Sequence, residues 1–141
     1  MQFVVKNKMI IEQFGISDLA LKLHKGSLAL FPTDTLPALC SCPKYSKEIW
    51  AIKKRPISKP LILMGGCLDD LFEFVHPCAV EDGLKLAKIY WPGALTIVLP
   101  TIGNFSENLN CRSNSLGFRV PALRLARDLL LKTGPLATTS A

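Results

Sequence analysis

The sequence predicts a single α/β domain built on a continuous mixed sheet, and three observations carry that expectation. Short apolar runs alternate with amphipathic helical stretches along the whole chain. Gly- or Pro-containing breaks close several of these segments. The composition, 49% hydrophobic and 20% charged over 141 residues, describes an ordered globular chain of one-domain size, long enough to bury a core. No internal repeat, linker or low-complexity tract divides it.

Taken in order, Ser17 is placed to cap a helix through Leu19, Ala20 and Leu23 that stops at Gly26. Residues 27–31 form a short apolar strand that runs into the polar turn Pro32-Thr33-Asp34-Thr35, and 38–42 a second strand. Residues 46–54 read as a helix with Ile49, Trp50 and Ile52 as core contacts. Residues 61–64 are a buried strand closed by Gly65-Gly66. Helices follow over 68–75 and 80–90, the second ended by Trp91-Pro92-Gly93. Residues 94–99 are a strand, 101–115 an aperiodic loop, and 116–120 another strand. From 122 to 132 an amphipathic helix places Ala122, Leu125, Ala126, Leu129 and Leu130 on one face, and Arg124, Arg127 and Asp128 opposite. Gly134 breaks it, and 135–139 form the last strand.

Seventeen Lys+Arg against 11 Asp+Glu give a net charge of +6, a balance that favours phosphates, nucleotides or RNA as partners. The five cysteines, Cys40, Cys42, Cys67, Cys78 and Cys111, are an odd number. Met1 to Phe14 holds no leader-like apolar stretch, so a cytoplasmic chain with reduced thiols is expected. No segment is long and apolar enough to span a bilayer, and no membrane partner is expected. Cys40, Cys42, His76 and Cys78 have C-x-C and H-x-C spacings, not the paired C-x-x-C of zinc sites, so no metal site is expected.

Neither G-x-x-x-x-G-K-[ST] nor G-x-G-x-x-G occurs, and neither histidine, His24 or His76, sits beside a nucleophile motif. Hydrolase readings are therefore poor, and any nucleotide must be held by side-chain cations and hydroxyls. Four segments could do so: Phe31 to Pro37, a hydroxyl-rich turn; Lys53 to Leu61, a basic loop stiffened by Pro56 and Pro60; Trp91 to Thr96; and Gly117 to Pro121 together with Pro135 to Ala141. Singly, each has a plain structural reading as a side-chain-capped turn, a solvated helix end, a helix stop with a packed indole, or a surface strand arginine.

Together, in this order, they resemble the YrdC-like family of threonylcarbamoyl-AMP synthases. The family pattern runs P-T-[DE]-T-x-Y-G-L, K-x-R-P-x-x-K-P-L, W-P-G-x-[LM]-T, R-x-P and a terminal S-x-N. The chain carries FPTDTLPAL, KKRPISKPL, WPGALT, FRVP and ATTSA, covering about residues 16–141. The resemblance implies a twisted mixed sheet with flanking helices and a concave basic cleft. It also implies formation of threonylcarbamoyl-AMP and pyrophosphate from L-threonine, bicarbonate and ATP, with Mg²⁺ riding on the triphosphate, for tRNA threonylcarbamoyladenosine modification. By motif position, Lys53 and Arg55 are implied as the catalytic pair. Thr33, Thr35, Arg119 and Thr138 are implied as substrate contacts, and Arg55, Lys59, Thr96 and Ser140 as nucleotide contacts. Downstream threonylcarbamoyl-transfer proteins and tRNA are the implied partners. A double-stranded-RNA-binding paralogue without synthase activity is the alternative. Pro37-Ala38 replaces the family's Tyr-Gly, and no histidine follows R-x-P. The sequence stops at Ser140-Ala141, before the asparagine of S-x-N. The expectation is a domain over 1–141 that lacks the C-terminal part of the family unit, binds ATP weakly and makes little product.

Overall fold

The computed structural model describes residues 2–5, 11–110 and 112–141, so Cys111 lies outside the described residues. Among the described residues there are eight strands: β1 (Gln2–Val5), β2 (Ile11–Phe14), β3 (Leu28–Phe31), β4 (Ala38–Ser41), β5 (Ile62–Met64), β6 (Ile97–Pro100), β7 (Ser115–Arg119) and β8 (Leu136–Ser140). Five α-helices accompany them: α1 (Ile16–His24), α2 (Lys47–Lys53), α3 (Leu68–Phe72), α4 (Pro77–Tyr90) and α5 (Arg124–Thr133). All eight strands join one sheet in the order β2-β1-β3-β4-β8-β5-β7-β6. Among the described residues only the β5–β7 pair is parallel, so the sheet is mixed, as the sequence predicts.

Several local expectations shift. α1 is preceded by Gly15 at its N-cap, not by Ser17, whose hydroxyl instead accepts from Lys132 Nζ at 2.9 Å. α4 starts at Pro77, because His76 Nδ1 accepts from the Cys78 backbone N–H and proline suits the first helical turn. Ile52 is 42% exposed, while Ile49 and Trp50 are buried. α5 starts at Arg124, so Ala122 precedes it, and its buried contacts are Ala126, Leu129 and Leu130. β1 and β2, unforeseen in the sequence, extend the sheet beyond β3.

Register sorts the two faces. Leu39, Leu63, Ala137 and Phe118 point to the side where Ile49, Trp50, Leu71 and Ala87 of α2, α3 and α4 complete a core. On the opposite side Ala29, Phe31, Ala38, Cys40, Met64 and Leu136 pack under α1 and α5 through Leu19, Leu23, Ala126, Leu129 and Leu130. Burial of the Cys40 thiol in this second core pushes its pKa up, which keeps it protonated and unreactive. On this second face Thr138, Ile62, Gly117 and Val98 stand side by side across β8, β5, β7 and β6. Val98 is 67% exposed, so this end of the face carries no helical cover.

Candidate functional site

A cleft of about 290 Å³ opens on that face. Its floor is strand residues Ile62, Met64, Thr138 and Ser140, and its walls are the turn at Thr35 to Ala38, the basic loop at Arg55 and Pro60, and Arg119. The volume lies near the lower end for small-molecule sites.

Arg119 organises one end. It terminates β7, and its side chain is only 7% exposed. Its Nη2 donates to Asp34 Oδ1 at 2.8 Å, its Nη1 to Thr35 Oγ1 at 2.9 Å, and its Nε to the Gly93 carbonyl at 2.9 Å. Asp34 Oδ1 also accepts from the Ala122 backbone N–H at 2.8 Å. Burial opposes ionisation of Asp34. The N–H groups of Ala122 and of Asp34 itself, together with the Arg119 charge, outweigh it and hold the carboxyl below its ordinary pKa. One guanidinium thus ties the T-D-T turn, the W-P-G segment and the R-x-P strand end into one body, although they are far apart in sequence.

Gly93 is sterically required there. A Cβ at this position would meet the Tyr90 carbonyl oxygen at 2.3 Å, and the Gly93 N–H donates to Val120 O at 2.8 Å. Gly93→Ala must force Tyr90 and Gly93 apart, and the Gly93 carbonyl is the one that holds Arg119. A loss of about 1–3 kcal/mol in stability is expected, on the scale of overpacking, read as a lower urea midpoint.

Thr33 shapes the turn from within. Its hydroxyl donates to Leu36 O at 2.7 Å, and its oxygen accepts from the Thr35 N–H at 3.1 Å. Thr33 is not among the cleft's lining residues, and its hydroxyl is spent on the backbone. The Thr35 hydroxyl accepts from Arg119, lies 3.2 Å from Thr33 Oγ1, and faces the cleft.

The basic loop folds back on itself. The Trp50 indole donates to Lys59 O at 3.1 Å, and the Lys59 N–H donates to Pro56 O at 2.9 Å. Lys54 takes a left-handed conformation (φ 48°) as α2 ends. Arg55 Nη2 donates to Pro60 O at 3.1 Å, which aims the guanidinium along the cleft wall. Lys53 and Lys59 are exposed and outside the lining, so the three cations do not converge in this structure. Residues 44–59 carry six Lys or Arg and one acid, Glu48, and therefore five of the six net positive charges. None of these six cations forms an ion pair among the described residues.

Thr138 is buried on the floor, and Ser140 stands at its exposed edge. Thr96 lies farther along the same face. A Cβ on Gly117 would meet Thr96 Cγ2 and Ile62 Cγ2, both at 2.9 Å, so the bare Gly117 backbone leaves room for these side chains. The cleft therefore brings together Thr35, Arg55, Arg119, Thr138 and Ser140, with Thr33, Lys53, Lys59 and Thr96 outside its lining. Asp34, absent from the residues singled out in the sequence, is fixed here by an arginine 85 residues away. Among the described residues no group of three or more His, Cys, Asp or Glu could hold a metal ion, and no helix is long and apolar enough to cross a membrane.

The profile of the family Sua5_yciO_yrdC, described as "Telomere recombination", matches residues 22–141. The threonylcarbamoyl-AMP synthase of Pyrococcus abyssi is 31% identical, in a match that takes in 100% of this chain and 42% of that protein. The threonylcarbamoyl-AMP synthase of Bacillus subtilis is 32% identical, over 89% of this chain and 38% of that protein. The chain thus spans about two-fifths of the length of these curated relatives. The crystal structure of P. abyssi Sua5 complexed with L-threonine superposes with a TM-score of 0.74 at 28% identity, covering 92% of this chain and 40% of that one.

Proposed function

The chain belongs to the Sua5_yciO_yrdC family, and from that premise we propose that its cleft forms threonylcarbamoyl-AMP from L-threonine, bicarbonate and ATP, releasing pyrophosphate. The observation that carries the proposal is the donor-rich end of the cleft. A guanidinium has five N–H groups. Arg119 spends one each on Gly93, Thr35 and Asp34, which leaves two for a ligand. The Thr35 hydroxyl proton is free to turn from Thr33 toward the cleft. Such an end suits the carboxylate of an amino acid, and the cleft has room for one.

In this reading the threonine amine attacks bicarbonate and water is lost, giving a carbamate. A carbamate oxygen then attacks the α-phosphorus of ATP, and the bond to the bridging oxygen breaks with pyrophosphate leaving. The protein's part is to align the two substrates and neutralise phosphate charge. Arg55 holds phosphate oxygens from the cleft wall, and Lys53 and Lys59 supply mobile charge from the exposed loop. Thr96 and Ser140 line the path of the nucleotide along the uncovered sheet face, and Thr138 sits below the threonine. ATP would enter as its magnesium complex, with the ion carried on the phosphates. The product serves tRNA modification through downstream transfer proteins, in the cytoplasm. The alternative, a double-stranded-RNA-binding paralogue without synthase activity, is not favoured, since the named relatives are synthases.

The test is pyrophosphate release from ATP, measured with each substrate omitted in turn. Release that needs both threonine and bicarbonate supports the reading, and release indifferent to threonine refutes it. Within the same assay, Thr35→Val keeps the shape and removes one hydroxyl. It is expected to raise the KM for threonine about tenfold, the scale of one hydrogen bond to a charged partner, while ATP affinity stays near its original value. An equal loss of both would move Thr35 to the nucleotide side.

A further inference from the structure

We infer that Asp34 is the positioning residue for substrate recognition: it fixes the Arg119 guanidinium so that its two unspent N–H groups face the cleft. The inference rests on the proposed reading of the cleft as a threonine site.

An arginine side chain has several rotatable bonds, and an unanchored one samples many orientations. Here the guanidinium is gripped at three of its edges, by the Gly93 carbonyl, the Thr35 hydroxyl and the Asp34 carboxylate. The grips differ in kind. Gly93 offers a neutral backbone acceptor. Thr35 offers a hydroxyl that is itself drawn on by the turn and by any ligand. Asp34 offers an ionised acceptor, so its bond joins two charged groups and is the strongest of the three.

Asp34 is also the only one of the three whose accepting atom is tied to a further segment. Oδ1 takes the Ala122 N–H as well as Arg119 Nη2, both at 2.8 Å. The carboxylate is therefore located by the chain that follows β7, and in turn locates the guanidinium at the end of β7. It closes a ring of contacts around the cleft end: turn to guanidinium, guanidinium to strand end, strand end back to turn. The position of Asp34 between Thr33 and Thr35 serves the same end, since Thr33 sets the turn and Thr35 shares the guanidinium.

Asp34 does not reach the ligand in this account. Its absence from the cleft lining agrees with that. Its effect passes through Arg119, so it should act on the amino acid and leave the nucleotide alone.

The experiment compares Asp34→Asn with Asp34→Ala in the full chain. Asparagine keeps an oxygen that can accept from both Arg119 and Ala122, and removes the charge. Alanine removes the acceptor. The expected result is a threonine KM raised at least tenfold in Asp34→Ala and within about threefold of the parent in Asp34→Asn, with the ATP KM unchanged in both. If Asp34→Ala does not fold, Asp34→Ser replaces it, because a serine hydroxyl is too short to bridge both donors, and the same tenfold rise is expected. Three results would overturn the inference: an unchanged threonine KM in the alanine or serine variant, equal rises for threonine and ATP, or an asparagine variant as impaired as alanine. Calorimetric titration of L-threonine into the same proteins gives the comparison without turnover. Threonine binding that follows this pattern in a parent that releases no pyrophosphate would count against the proposed reaction and for Asp34.

Discussion

Arg119→Met is expected to leave a folded protein that binds ATP and has lost its response to threonine. Methionine fills much of the aliphatic space and offers no donor. The Gly93 carbonyl and Thr35 hydroxyl lose their shared partner, and Asp34 keeps only the Ala122 N–H and its own. Removing one member of a buried pair costs about 3–5 kcal/mol. The low end applies, because the Asp34 side chain is 21% exposed and can take up water. A domain with about 5–15 kcal/mol in hand survives that loss. Threonine would lose two charge-assisted hydrogen bonds worth about 1.5–3 kcal/mol each, so its KM should rise by at least a hundredfold. Thermal denaturation and steady-state kinetics on one preparation check both halves. A stable variant with normal threonine kinetics would remove Arg119 from the substrate site.

Arg55→Ala is expected to act on the other substrate. In the structure Arg55 is turned along the cleft wall by the Pro60 carbonyl, with no carboxylate to neutralise it among the described residues. A partly exposed, unpaired guanidinium on a proline-flanked loop is ready for phosphate oxygens. Its loss should weaken ATP binding by about 1.5–3 kcal/mol, or roughly 10–150-fold. Lys44→Ala, in the same basic segment and outside the cleft lining, is the control and should shift ATP affinity far less. Unchanged ATP affinity in Arg55→Ala, by calorimetry, would end the phosphate assignment.

Much of this arrangement is legible in the residues. Alternating apolar runs give β3, β4, β5, β7 and β8 nearly in place, because each is a short buried strand bounded by turn residues. β1 and β2 are not legible. They are four residues each, and they join the sheet through pairing with each other and with β3, which local pattern does not report. Ile52 fails as a core residue because helical period alone leaves a one-residue ambiguity in a helix of two turns, which Ile49 and Trp50 resolve by packing. Lys53, Arg55 and Lys59 are visibly cationic, but only Arg55 faces the cleft. Lys53 sits on the exposed last turn of α2, and Lys59, whose carbonyl is tied to Trp50, is exposed outside the cleft lining. Asp34 reads in sequence as a turn former between two threonines. Its partnership with Arg119 spans 85 positions and becomes visible only when β4, β8, β5 and β7 are assembled side by side.

Calorimetric titration of L-threonine into the parent protein, Arg119→Met and Arg55→Ala tests the threonine site most directly. The expected result is saturable binding at one site in the parent, none detectable in Arg119→Met, and near-parent affinity in Arg55→Ala. Absence of threonine binding by a folded parent that binds ATP would contradict it, as would equal threonine affinity in the parent and Arg119→Met.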